Sequence, residues 1–185
     1  METTRLAPHC GVEISGVQLA DARGESLEAI RQAVWEHGVA LFRDQDFGPE
    51  QHIAFAKAWG GIDLNNYFPL TDTHPEIAVV RKAADQQTNI GGAWHTDHSY
   101  DQVPAMGSIL VARTLPPKGG DTLFASMYAA YEALSGRLQR FLGELTAVHD
   151  GQQYYVGRYG GRDLRDGAYP SAEHPAIRTH PVTGR

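Results

Sequence analysis

The feature that most constrains this chain lies near its middle, at Trp94-His95-Thr96-Asp97-His98-Ser99. His95 and Asp97 are two residues apart, and on an extended strand the side chains at i and i+2 point to the same face. An imidazole nitrogen and a carboxylate oxygen that meet at one point suit Fe(II), Mn(II) or Zn(II). The spacing therefore predicts two ligands of a metal site.

The pair by itself leaves a second interpretation open, because short motifs recur by chance and such a pair is more often a surface hydrogen bond. Its surroundings favour the metal site: a polar segment with glycines (83–93) precedes it, and Gly119-Gly120-Asp121-Thr122 follows. One further His would complete a triad of two His and one carboxylate. His98 competes with His95 for this role, but on a regular strand it falls on the opposite face.

Residues 94–124, with WHTD and GGDT at this separation, resemble the taurine dioxygenase-like family of Fe(II)- and 2-oxoglutarate-dependent oxygenases. Residues 129–134, 38–45 and 178–184 also fit the pattern of that family. The resemblance implies an α+β fold built on a double-stranded β-helix, which is a jelly-roll of the cupin type with flanking helices. Hydrophobic periodicity alone indicates only α+β.

The resemblance also implies a chemistry and its cofactors. His95 and Asp97 match the first two iron ligands, and Thr122 matches the hydroxyl that meets the distal carboxylate of 2-oxoglutarate. In the family, 2-oxoglutarate is converted to succinate and CO2 while a small organic substrate is hydroxylated with O2. Fe(II) and 2-oxoglutarate are the expected cofactors, and no catalytic residue beyond the metal ligands is predicted.

The family pattern also needs a second His well downstream and an Arg shortly after it. The later histidines are His149, His174 and His180, and His180 sits in a stretch that precedes the distal His of the family. We therefore interpret residues 1–185 as one catalytic domain whose C-terminal part is missing. Little or no turnover is expected from these residues alone.

The substrate is left unknown. Residues 65–68 do not offer the His and Tyr that contact the sulfonate in taurine enzymes, and Gly91 stands where an Asn is expected. A small organic acid, a sulfonate and an aromatic acid stay equally open. Tyr67, Asn89 and Tyr100 are candidates for lining the pocket or for structural roles.

Charge and composition exclude several classes of partner. A net charge of -6 argues against nucleic acids and anionic membranes, which need a basic surface. Cys10 is the only cysteine and cannot form an internal disulfide. The sequence has no apolar run long enough to span a bilayer and no signal-peptide pattern. These observations predict a cytoplasmic protein. The resemblance implies O2 and a small-molecule substrate as its partners.

Local patterns predict the secondary structure in outline. Apolar alternation or short apolar runs indicate strands at 10–19, 39–42, 76–81, 106–113, 145–149 and 176–180. Helix signals are an N-cap at Ser26 with a stop at Gly38, a start at Pro49 with a stop at Gly60, and N-caps at Ser126 and Ser135. The Met and aromatic residues of the last two helices are predicted to be core.

Two other functions stay open. One is a β-scaffold fragment or pseudo-enzyme that has no complete metal site and serves only as an interaction surface. The other is a zinc site that uses His95, Asp97 and His98 for hydrolysis, which fails if residues 95–98 form a strand. A partial barrel would also expose strand edges and apolar faces, so we expect a homo-oligomer or aggregation.

Overall fold

The computed structural model describes residues 1–64, 71–87, 89, 91–152 and 169–185 of the chain. The chain divides into two compact units, and each is described by itself. The first unit comprises Met1–Gln86, Ile109–Ala130 and Pro181–Arg185, and the second comprises Gln87–Ser108 and Tyr131–His180. Among the described residues, no helix has both the length and the apolar character that a membrane span requires.

The first unit holds a three-stranded sheet at the start of the chain. Strand β1 (Glu2–Arg5) pairs antiparallel with β2 (Val12–Ser15), and β2 pairs in parallel with the short β3 (Ala40–Leu41). Val12 and Ile14 on β2 are buried and alternate with more exposed residues, as the predicted opening strand requires. The sequence pattern does not predict β1, because all four of its residues are polar and exposed.

Two helices pack on this sheet, preceded by a 3-10 turn at Leu19–Asp21. Helix α1 (Gly24–His37) begins after Arg23, so the prediction of Ser26 as its N-cap is wrong. The Ser26 hydroxyl accepts the backbone N–H of Arg23 from the third helical position instead. Helix α1 ends as predicted at Gly38, whose φ of 73° is the left-handed conformation that glycine adopts without strain. Helix α2 (Pro49–Trp59) starts and stops where Pro49 and Gly60 predict.

The core of the first unit forms between the sheet and the two helices. Ile30 of α1 is completely buried, and Phe47 and Phe55 pack in the same cluster. Burying one such side chain contributes about 1.5–3 kcal/mol. The later segment also contributes, because Ile109 and Val111 pack against the cluster. The chain that follows the WHTD motif is therefore fixed to the N-terminal core of this unit at residues 109–111.

The second unit is built around a two-stranded antiparallel sheet. Strand β4 (Thr146–Asp150) pairs with β5 (Ser171–Pro175), and the inward face carries Ala147, His149, Ala172 and His174. Two short helices precede it in the chain, α3 (Met127–Glu132) and α4 (Gly136–Gly143). Both predicted caps form: the Ser126 hydroxyl accepts the N–H of Ala129, and the Ser135 hydroxyl accepts the N–H of Leu138.

Several predicted strands are wrong. Residues 76–81 show only a single bridge residue, residues 106–113 are irregular, and the last strand is β5 rather than 176–180. Residues 109–111 keep the alternation, with Leu110 74% exposed between two packed neighbours. A strand also needs a hydrogen-bonded neighbour, and the described part of the chain places none beside them.

The Met and aromatic residues of the later helices are also not core as predicted. Met127 of α3 and Phe141 of α4 are exposed, and neither helix has a buried residue. Helices with sheets of three and two strands confirm the α+β class. The double-stranded β-helix stays a prediction, because the described residues do not contain two facing sheets of that kind.

Candidate metal centre

The WHTD motif lies in a turn and not on the predicted strand. Residues 94–96 are irregular and residues 97–100 form a turn. His98 has φ of +53°, in the left-handed region that interrupts an extended path. The turn closes through the Asp101 N–H, which donates to the His98 carbonyl oxygen at 3.0 Å. Local hydrogen bonds of this kind compete with strand formation.

The side chains of His95 and Asp97 nevertheless converge. The Nε2 of His95 lies 3.2 Å from the Oδ1 of Asp97, and these side chains are 34% and 62% exposed. Two donor atoms that each sit about 2.1 Å from one ion, at right angles, are about 3.0 Å apart. The measured separation is therefore compatible with two neighbouring ligands of one metal ion, and the N,O donor set fits Fe(II), Mn(II) or Zn(II).

The second nitrogen of His95 is also engaged. Its Nδ1 lies 2.7 Å from the carbonyl oxygen of Ala93. Because a carbonyl oxygen can only accept, Nδ1 carries the proton, and in the neutral ring the lone pair is on Nε2. Metal-bound histidines are commonly oriented by such a bond to a backbone carbonyl. The Ala93 bond thus leaves Nε2, the nitrogen that faces Asp97, as the atom through which a neutral His95 ring would bind a metal.

Two further residues hold the pair, and the sequence did not identify either in this role. The Ser108 hydroxyl donates to Asp97 Oδ2, the oxygen other than the one at His95, across 3.4 Å. Gly91 has φ of +66°, and a Cβ at this position would lie 3.3 Å from Cε1 of His95. The sequence alone marks Gly91 only as the place of a missing Asn, whereas its left-handed φ and its contact with the ring both favour glycine.

His98 and Trp94 differ from the expectations for them. The Nδ1 of His98 lies 3.1 Å from Asp101 Oδ2, and its ring lies 5.7 Å from that of Tyr100. Trp94 is 69% exposed, so it is not a packing residue beside the site. Tyr100 is buried, which favours its structural role over pocket lining. The motif thus contributes two neighbouring donor atoms, from His95 and Asp97.

The remaining predicted residues stay predictions. Thr122 lies in the first unit, exposed and outside helices and strands, and follows two left-handed glycines at Gly119 and Gly120. Asn89 is exposed, and Tyr67 lies outside the described residues. The structure therefore brings His95 and Asp97 together, and Thr122 is assigned by resemblance alone.

Comparisons with known proteins agree with the resemblance. The family model of the taurine catabolism dioxygenases, TauD, TfdA family, matches residues 2–185. An (S)-phenoxypropionate/alpha-ketoglutarate-dioxygenase from Sphingobium herbicidovorans is 32% identical, over 95% of this chain and 65% of the relative. A solved taurine dioxygenase from Burkholderia xenovorans is 32% identical with a TM-score of 0.79, over 99% of this chain and 60% of that one.

One solved relative was crystallised with ligands. It is AAD-2 in complex with Mn(II) and N-oxalylglycine. Its sequence is 28% identical to this one and its structure matches with a TM-score of 0.77, over 100% of this chain and 67% of that one. The chain spans about half the length of curated relatives that it matches, with 48% and 47% covered in two of them. These relatives are longer than this chain, and their activities are those of the complete proteins.

Proposed function

The chain belongs to the taurine catabolism dioxygenase TauD, TfdA family, and from this membership we propose that it carries two iron ligands of an Fe(II)- and 2-oxoglutarate-dependent dioxygenase. The ligands are His95 and Asp97. The observation that carries the proposal is the 3.2 Å approach of Nε2 to Oδ1, with the ring held by Ala93 at its other nitrogen.

Each residue of the site has a defined task. His95 offers the Nε2 lone pair, and Asp97 offers one carboxylate oxygen while Ser108 holds the other. By the resemblance, Thr122 would donate its hydroxyl to the distal carboxylate of 2-oxoglutarate. When bound, iron and 2-oxoglutarate supply the oxidising chemistry that uses O2, releases succinate and CO2, and hydroxylates a C–H bond of the substrate.

The site as assigned is incomplete. A carboxylate taken out of water needs a cationic partner, and the Thr122 hydroxyl alone does not provide one. The second His and the Arg of the family pattern are not assigned within residues 1–185. We therefore propose that these residues bind a divalent ion weakly and turn over little or no substrate. Steady succinate formation that scales with iron and 2-oxoglutarate would contradict this part.

The proposed substrate is a small organic anion. The relatives named above act on taurine, a sulfonate, or on (S)-phenoxypropionate, an aromatic carboxylic acid. Gly91 is small, and it adjoins the ring of His95 where an Asn is expected in taurine enzymes. A sulfonate, a small organic acid and an aromatic acid remain equivalent on this basis, with O2 as co-substrate.

The test is a Mn(II) titration of the 15N-labelled chain, followed by paramagnetic broadening of backbone amide signals. Broadening should centre on residues 91–101 and disappear in His95→Ala and Asp97→Ala. His98→Ala is the comparison from the same motif: His98 is paired with Asp101 and is not proposed as a ligand, so its loss should weaken the broadening far less than either ligand variant does. Absence of local broadening in the wild-type chain would favour the scaffold alternative. Loss as complete in His98→Ala as in His95→Ala would favour the three-residue zinc site instead.

A second arm tests the cofactor. Adding 2-oxoglutarate to the chain loaded with diamagnetic Zn(II), which leaves the nearby amide signals visible, should shift the signals near His95 and Asp97, because 2-oxoglutarate would bind the same ion as these two residues. Thr122→Val removes the proposed donor with little change in volume, so it should weaken the response to 2-oxoglutarate while Mn(II) affinity stays unchanged. An identical response in wild type and Thr122→Val would remove Thr122 from the site.

A further inference from the structure

The β4–β5 hairpin contains a buried histidine that contacts the turn after Asp97. His174 on β5 is 9% exposed, and its Nε2 lies 3.0 Å from the backbone carbonyl oxygen of Asp101. Since a carbonyl only accepts, Nε2–H of His174 is the donor. The His149 ring meets the His174 ring edge to face at 5.4 Å and fixes its plane. The donor is thus buried and oriented.

Asp101, whose carbonyl oxygen accepts the bond from His174, closes the turn. Asp101 donates its N–H to the His98 carbonyl, and its carboxylate lies 3.1 Å from Nδ1 of His98. Residues 98–101 are therefore cross-braced by a backbone bond and a side-chain bond. Asp97 directly precedes them, so the position of its carboxylate depends on where this turn is held.

A second contact docks the same turn on the hairpin. Tyr100 is buried, and a Cβ added at Gly151, just after β4, would lie 3.3 Å from its Cγ. The Gly151 N–H donates to the Pro170 carbonyl at 2.9 Å, so the backbone there is itself fixed. The turn is thus held at Tyr100 by packing and at Asp101 by a hydrogen bond.

We propose that His174 is a positioning residue of the metal centre. Its bond to the Asp101 carbonyl holds the turn that carries Asp97, and it thereby sets the affinity for a divalent ion without touching the ion. The inference rests on the proposed function, since that function makes Asp97 a ligand. Losing an outer partner of a metal site typically costs about 10–100-fold in metal affinity. For this indirect bond we expect the lower end, about tenfold.

The experiment separates positioning from simple stability. His174→Phe keeps a planar ring against His149 but has no donor, whereas His174→Gln restores an N–H near the position of Nε2. Mn(II) affinity from paramagnetic broadening and thermal melting are measured on the same samples. We expect a roughly tenfold weaker affinity in His174→Phe and near wild-type affinity in His174→Gln. Glu173→Gln, on the exposed face of β5, is the control.

Other outcomes are equally informative. Wild-type affinity in His174→Phe, or equal losses in the Phe and Gln variants, would overturn the inference. If His174→Phe does not melt cooperatively, Gly151→Ala tests the other contact, because a Cβ there would lie 3.1 Å from Pro170 and 3.3 Å from Cγ of Tyr100 and should also weaken Mn(II) binding. Wild-type affinity in Gly151→Ala would then overturn it. Absence of Mn(II) binding in the wild-type chain would instead refute the proposed function.

Discussion

His52 of α2 places its Nε2 3.1 Å from the carbonyl oxygen of Ile109, which joins a half-buried imidazole to the segment after the WHTD motif. The ring lies 5.5 Å from Phe47, whose own carbonyl accepts a hydrogen bond from Arg113. Burial lowers the pKa of His52 and outweighs the raising effect of the Ile109 bond, while the charge of Arg113 lowers it further. Folding therefore favours the neutral ring.

The lowered pKa of His52 predicts that the stability of the fold depends on pH. The pKa of His52 is lowered from its ordinary value of 6.5 on folding, so the unfolded chain binds the proton more readily. Its contribution to the free energy of unfolding is complete above pH 6.5 and decreases as the pH falls below that value. Urea unfolding from pH 7.5 to 5 should show this decrease, and His52→Gln should reduce it. An equal decrease in wild type and variant would contradict the assignment, with the exposed His9→Gln as control.

Removing the Ser108 hydroxyl should weaken metal binding slightly. Its bond to Asp97 is 3.4 Å long and exposed, so we expect about a threefold loss of Mn(II) affinity in Ser108→Ala. Asp97→Ala should abolish the same binding. Ser99→Ala, in the same turn, should leave the affinity unchanged. A loss as large in Ser99→Ala as in Ser108→Ala would show that the effect is not specific to the carboxylate.

A side chain at Gly91 should disturb His95. Alanine there takes on a left-handed φ at a cost of roughly 1 kcal/mol and brings its Cβ within 3.3 Å of the imidazole. We expect weaker Mn(II) binding and a lower free energy of unfolding. Gly91→Asn separates the two effects, because Asn tolerates this φ. Gly107→Ala, where a Cβ would meet open space, is the control and should leave both quantities near wild type.

The first unit should depend strongly on Ile30. This side chain is completely buried between α1 and the sheet, so Ile30→Ala should lower the free energy of unfolding by about 2–5 kcal/mol. Leu138 of α4 is exposed, and Leu138→Ala should change it by about 0.5 kcal/mol or less. Urea denaturation measures both. Similar effects at the two positions would contradict the location of the core.

Most helix ends could be predicted from the sequence because their causes are local, although Ser26 does not cap α1. Gly38 supplies the left-handed residue, Pro49 needs no N–H at a first helical position, and Ser126 and Ser135 cap within three residues. The strands could not be predicted as well, because a strand depends on a neighbour that may be distant in sequence. Residues 109–111 have the pattern without that neighbour in the described part of the chain.

The candidate site was predicted from a premise that the structure does not bear out. The i, i+2 rule requires a strand, and the motif is a turn, yet His95 and Asp97 still lie 3.2 Å apart. Their convergence depends on contacts that no spacing rule contains: the Ala93 carbonyl, the small Gly91 and the Ser108 hydroxyl. His174 is 73 residues from Asp101, so only the fold could connect them.

The exposure of Asp97 has a practical consequence for anyone who prepares this protein. A ligand pair open to solvent exchanges its ion freely with the medium, so the occupant reflects which metals are present. Zn(II) binds nitrogen and oxygen donors more tightly than Fe(II) or Mn(II) in the general order of divalent affinities. If the pair binds a metal as proposed, trace zinc in a purification buffer would displace Fe(II) or Mn(II), and the metal content of a sample would reflect the buffers used to prepare it.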